Sequence, residues 1–120
     1  MEEVWKMVYE IQNPRKGYRS RLEIVKDILN LLDDTGKLGT KKTHIMYGAN
    51  LSYRLLTRYM DDILTAGLAE YYEESSYRIT SKGKRFLNFY EEYEDERREI
   101  EKHVVTLNNG REELEKMLEC

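Results

Sequence analysis

Proline, cysteine and tryptophan each occur once in these 120 residues, and histidine twice. One proline beside seven glycines disfavours a loop-rich or disordered chain. The single Cys120 is the last residue, which excludes an internal disulfide framework and a cysteine zinc cluster and makes a cytoplasmic protein the simplest expectation. No apolar run approaches the ~18 residues of a membrane span. The start Met1-Glu2-Glu3-Val4-Trp5 lacks the basic and apolar regions of a signal peptide. His44 and His103 fall on different elements. Glu99 and His103 share a helix face, but two ligands do not make a metal site. There is no glycine-rich phosphate loop, no Ser/His/Asp set and no cysteine with a base. Asp61 and Asp62 are sequence neighbours that point apart on a helix, so they are not a paired acid and base. No enzyme, cofactor, metal or small-molecule substrate is therefore expected.

What the chain has in abundance is charge. Charged residues make up 36% and hydrophobic ones 40%, so the expectation is one domain with a small core. The net charge of -3 conceals segregation. Residues 15–58 carry ten basic side chains against four acidic ones, or +6, whereas residues 86–120 carry five against eleven, or -6. A basic middle beside an acidic tail is the electrostatic footprint of a polyanion binder.

The apolar spacing predicts mostly helix. Val4, Val8 and Ile11 form a short amphipathic helix that ends before Asn13-Pro14, followed by a basic linker. Ser20-Arg21-Leu22-Glu23 reads as a capping box, opening a helix with Leu22, Val25, Ile28, Leu29 and Leu32 on one stripe. Thr40 is expected to cap a short second helix through Tyr47 that contacts the core by Ile45 and Met46. Ser52 is expected to cap a third, with Leu56, Tyr59, Met60 and Ile63 inward and Gly67 just past its end. Leu68–Tyr72 and Tyr77–Thr80 read as a hairpin around a turn at residues 73–76. Thr80 or Ser81 then opens a long helix. Phe86, Tyr90, Tyr93, Arg97, Ile100, Val104, Leu107, Arg111, Leu114 and Leu118 hold a heptad register in it, unshifted across Asn108-Asn109-Gly110. One domain cannot bury such a seam alone, so a homodimer is expected. Arg97 and Arg111 in the seam either set register or snorkel to solvent. Of the ten tyrosines, Tyr59 and Tyr47 are expected in the core. Tyr71 and Tyr72 alternate across a strand, and core packing is preferred to a single-strand stacking platform for most of the ten.

Helix, helix-turn-helix and a two-stranded wing follow in winged-helix order. The segments Lys42-Thr43-His44-Ile45-Met46-Tyr47-Gly48-Ala49-Asn50-Leu51-Ser52-Tyr53 and Tyr77-Arg78-Ile79-Thr80-Ser81-Lys82-Gly83-Lys84 resemble archaeal winged-helix DNA-binding proteins of the Sso10a type. The resemblance runs from about Ser20 to the end of the long helix; Met1–Arg19 and the Asn-Asn-Gly step depart from it. It implies a dimer held by an antiparallel coiled coil, and sequence-tolerant DNA binding or transcriptional control. The expected fold is mainly α with a small β-hairpin, a winged helix-turn-helix followed by a long coiled-coil helix. Residues 1–19 form the N-terminal helix and linker, 20–80 the winged domain and 81–120 the dimerisation helix.

The candidate DNA contacts are the outward residues of the third helix, Ser52, Tyr53, Arg54, Thr57 and Arg58. Arg54 ranks first, because a guanidinium forks onto guanine or phosphate. Lys41 and Lys42 start the second helix and either bind phosphate or solubilise a loop. Arg78 near the wing tip is a weaker candidate because Glu73 and Glu74 repel phosphate. Arg15, Lys16 and Arg19 form either a minor-groove arm or a solvated linker. The leading expectation is a dimeric double-stranded-DNA-binding protein, a regulator or a chromatin-like architectural protein. The alternative is a protein-interaction scaffold that uses the winged helix and coiled coil without DNA.

Overall fold

The computed structural model describes residues 19–73 and 75–119. The expected helix over residues 4–11 and the linker cations Arg15 and Lys16 lie outside the described residues. Arg19–Glu91 forms one compact unit, and the chain after Glu91 belongs to a second.

Helix α1 spans Arg21–Thr35, and its capping is as the sequence predicts: the Glu23 N–H donates to the Ser20 hydroxyl at 3.2 Å. Val25, Ile28, Leu29 and Leu32 are buried, while Leu22, on the same stripe in the first turn, stays exposed. A short 3-10 turn at Gly36–Leu38 leads to strand β1, Thr40–Lys41. Thr40 is therefore not a helix cap. It is buried and paired with Tyr77 across the sheet, and its hydroxyl shares a hydrogen bond with that of Thr35. Two residues carry no periodicity, which is why this strand is invisible in the sequence.

Helix α2, Lys42–Gly48, starts after Lys41, which makes no side-chain cap. Ile45 is fully buried and Met46 packs against the core. Tyr47, expected in the core, is 79% exposed. Two positions past Ile45 are about 200° around a helix, so Tyr47 takes the opposite face. Helix α3, Tyr53–Thr65, is capped by Ser52, whose hydroxyl accepts from the Leu55 N–H at 3.2 Å. Leu56, Met60 and Ile63 are buried and Tyr59 packs against them. The helix ends as Gly67 adopts φ 76°, with Gly67 N–H bonded to Leu64 O and Leu68 N–H to Ile63 O. That paired closure satisfies two terminal carbonyls, and its left-handed residue is least strained as glycine.

The wing is β2, Ala69–Tyr72, and β3, Ser76–Ile79, antiparallel in the register Ala69↔Ile79 to Tyr72↔Ser76. With β1 they make a three-stranded sheet in the order β1-β3-β2, one strand more than the expected hairpin. Helix α4, Ser81–Leu118, follows at once, with the Thr80 hydroxyl accepting from Gly83 N–H at 3.1 Å and donating to Gly67 O at 2.6 Å. Gly83 is buried because the helix crosses the Leu68 backbone closely: a Cβ there would collide with the Leu68 carbonyl oxygen and lie 2.6 Å from Ile79 Cγ1. Phe86 and Leu87 pack against the domain's own core, and Phe86 stacks on Tyr90. Phe86, expected at the head of the dimer seam, thus serves its own domain. The helix continues without a break through Asn108-Asn109-Gly110, as the unshifted register requires. No described helix is long and apolar enough to cross a membrane.

Candidate nucleic-acid interface

Burying Leu56, Met60 and Ile63 forces the other face of α3 outward. Arg54 and Arg58, one turn apart, are both exposed on it, and among the described residues neither has an acidic partner. Asp61 and Asp62 occupy the last part of the helix, so its cations gather in the first half. Thr57 is half-buried and its hydroxyl donates back to the Tyr53 carbonyl at 2.9 Å. The Ser52 hydroxyl is used by the cap. Of the five outward candidates, Arg54 and Arg58 therefore keep their functional groups for a partner.

Tyr53 opens α3 beside Lys42, the first residue of α2. The Lys42 ammonium lies 4.4 Å from the Tyr53 ring centroid and donates to its hydroxyl at 3.4 Å. This cation–π contact positions the ring without neutralising the ammonium. Lys41 is exposed on the short strand before it.

Among the described residues, Arg78 and Arg19 are occupied. The Arg78 Nε donates to Glu70 Oε1 at 2.9 Å across β2 and β3, and its guanidinium lies 4.5 Å from the Tyr72 ring centroid. Arg78 is held on the sheet by its cross-strand neighbour, a pairing that only the register creates. Arg19 donates to Asp27 Oδ2 at 2.8 Å and to the Asn50 carbonyl at 3.2 Å, which ties α1 to the turn after α2. Asp27 also accepts from Lys26 at 2.8 Å. Burial alone would push the Asp27 carboxyl up, but the Lys26 and Arg19 cations outweigh it and hold it below the ordinary value.

One element of this face escaped the sequence reading. Tyr71 on β2 is 68% exposed, and its ring lies 5.0 Å from that of Tyr77. Tyr77 is only 6% exposed, and burial first, then the neighbouring Tyr71, Tyr53 and Asp61, push its phenol pKa up. The strand's alternation put Tyr71 and Tyr72 on opposite faces, but it could not say that the inward face runs past the core at Tyr71. Among the described residues no group of three His, Cys, Asp or Glu could hold a metal ion.

Over residues 18–98 the sequence matches the family described as winged helix-turn-helix. It is 31% identical over 81 residues to an uncharacterised protein of Methanocaldococcus jannaschii, covering 67% of this chain and 79% of that one. The fold is similar to Sso10a-2, a DNA-binding protein from Sulfolobus solfataricus: TM-score 0.55, 26% identity, 83% of this chain and 97% of that one. It is also similar to a point mutant of MepR from a multidrug-resistant S. aureus isolate: TM-score 0.54, 98% of this chain and 94% of that one. At 14% identity that second likeness concerns the fold alone.

Proposed function

From the premise that this chain belongs to the winged helix-turn-helix family, we propose that it binds double-stranded DNA as a cytoplasmic homodimer, serving as a transcription regulator or a chromatin-like architectural protein. The observation that carries the reading is the outer face of α3. Arg54 and Arg58 stand exposed and unpaired there among the described residues, while Arg19, Arg21 and Arg78 are each paired with a carboxylate. The first half of a recognition helix is the part that reaches into the major groove, and unpaired guanidinium groups suit both base edges and phosphates. Lys41 and Lys42 extend the basic face toward the start of α2. Sso10a-2, similar over most of the chain, is a DNA-binding protein, which supports the same reading.

The homodimer is supported by α4. Leu107, Leu114 and Leu118 keep the heptad register and are exposed in the single chain. A second copy offers the same stripe and completes the seam. Tyr93, Arg97, Ile100 and Val104 precede them in that register.

The test is fluorescence anisotropy on a short random-sequence duplex at low and near-physiological salt, with sedimentation velocity on the same protein. Affinity should fall steeply with log salt, with a slope of about -0.9 for each phosphate neutralised. Sedimentation should give twice the chain mass. Absence of binding at low salt would end the DNA reading and favour the scaffold.

A further inference from the structure

Two large aromatic side chains near the basic face are exposed, and the duplex reading gives Tyr71 no task and the Tyr53 ring none beyond its hydroxyl. Tyr53 is 65% exposed and Tyr71 is 68% exposed. They come from different elements, the start of α3 and the wing, and the sheet brings these close: buried Tyr77 is paired with Tyr71 on one side and with Thr40 on the other, two residues before the Lys42 that lies over Tyr53. Neither ring is loose: Tyr71 rests on Tyr77 at 5.0 Å, and Tyr53 is held by the Lys42 ammonium. An exposed aromatic pair held in place on a charged surface marks a contact site. Its surroundings specify the partner's chemistry. Lys42 lies over the Tyr53 ring, and the exposed Lys41 and Arg54 are the chain neighbours of Lys42 and Tyr53, so cations stand beside the rings. Flat rings beside cations are what nucleobases on a phosphate backbone require. In a duplex the base faces are stacked on each other, so a phenol ring can reach a face only where a base is unpaired.

We propose that the crease between α3 and the wing, formed by Tyr53, Tyr71 and Lys42, holds unpaired nucleobases by stacking, so that the protein binds single-stranded or locally melted DNA in addition to duplex. The proposal rests on the reading that this face meets nucleic acid, but it assigns the aromatic residues a different task from Arg54 and Arg58. Phosphates are held by the cations in both cases; the rings act only when a base is free.

The test compares the full chain's affinity for four fluorescent probes: a mixed-sequence 20-mer strand, the same backbone with abasic residues throughout, the 20-mer duplex, and that duplex with a central mismatched bubble. The strand and the bubble should bind at least about tenfold more tightly than the abasic strand, the value of one stacked base. Tyr53→Ala and Tyr71→Ala should each reduce that preference, and Tyr71→Ala, outside the duplex contacts, should change duplex affinity less than about twofold. Tyr53→Phe should retain the preference, because a phenyl ring still stacks. Equal binding of the normal and abasic strands by the unmodified protein overturns the proposal, and this arm needs no variant to fold. So does a Tyr53→Phe loss as large as that of Tyr53→Ala, which would make the hydroxyl, not the ring, the contact. Duplex binding that persists in either case leaves the duplex reading standing; failure of every probe to bind removes both.

Discussion

Helix α3 and the part of α4 after Glu91 are built from the same materials, an apolar stripe and many charges, and use them in opposite ways. In α3 the stripe of Leu56, Met60 and Ile63 is buried in its own domain, and the cations Arg54 and Arg58 are left without acidic partners among the described residues. In α4 after Glu91 the apolar residues Leu107, Leu114 and Leu118 are exposed, and all five cations are paired: Arg97 with Glu94, Arg98 with Asp95, Lys102 with Glu99, Arg111 with Glu115 and Lys116 with Glu113. Those pairs lie three or four residues apart on one helix, where they support it locally and leave little field for a distant anion. The lesson is that local charge density does not mark a binding face. What marks it is charge left over after neighbours have been satisfied.

The sharpest way to break the comparison is at the two glycines of α4. Gly83 lies in the packed end, where a Cβ collides with the Leu68 carbonyl oxygen; Gly110 lies in the exposed end, with nothing within 4 Å of the same atom. Gly83→Ala should destabilise the domain by about 3 kcal/mol, the upper range for overpacking, because backbone must move. Denaturant melts of the two variants read the difference directly, and equal effects would mean that α4 does not approach the sheet this closely.

Next in size is the charge contrast. Arg54→Ala with Arg58→Ala should weaken duplex binding by about tenfold or more and lower the salt slope by about two. Arg98→Ala with Lys102→Ala, the same change of charge on α4, should shift it less than about twofold. Equal losses from both pairs would show that overall charge, not the α3 face, governs binding.

Gly110→Ala should move stability the other way from Gly83→Ala, raising it by about 0.5–1 kcal/mol through helix propensity. The smallest effect concerns the ion pairs. Asp27 is partly buried between Lys26 and Arg19, and its folded pKa is lowered. A lowered carboxylate contributes stability that is complete above its unfolded value, about 3.9, and is lost as pH falls through the folded one. Thermal melts from about pH 5 down to pH 2 should therefore lose part of their acid sensitivity in Asp27→Asn. Glu99→Gln, in a pair exposed on both sides, should leave the melts unchanged.

Much of this architecture was legible in the sequence because it rests on local rules. The Ser20 and Ser52 caps, the stop at Gly67 and the inward stripes of α1 and α3 follow from backbone groups within one turn of the residue concerned. The unbroken α4 follows from a register that survives Asn108-Asn109-Gly110. The candidate face was half legible. Arg54 and Arg58 come from periodicity, since a helix that buries one stripe must expose the other. Arg19 and Arg78 read as weaker candidates for other reasons, and their pairing stayed hidden because Asp27 and Glu70, which hold them, are each eight residues away in sequence.

Sequence by itself thus determined the described helices, the Ser20 and Ser52 caps, the order helix, helix-turn-helix, wing, long helix, and the separation of basic middle from acidic tail. Each depends on neighbours within a few positions along the chain. Only the tertiary structure decided that Thr40 is a strand residue and not a cap, that Tyr47 faces outward, that a Cβ is excluded at Gly83 but not at Gly110, and that exposed Tyr71 packs on buried Tyr77. Those outcomes depend on sheet register and on how closely two backbones approach, and both are settled by packing between segments distant in the chain.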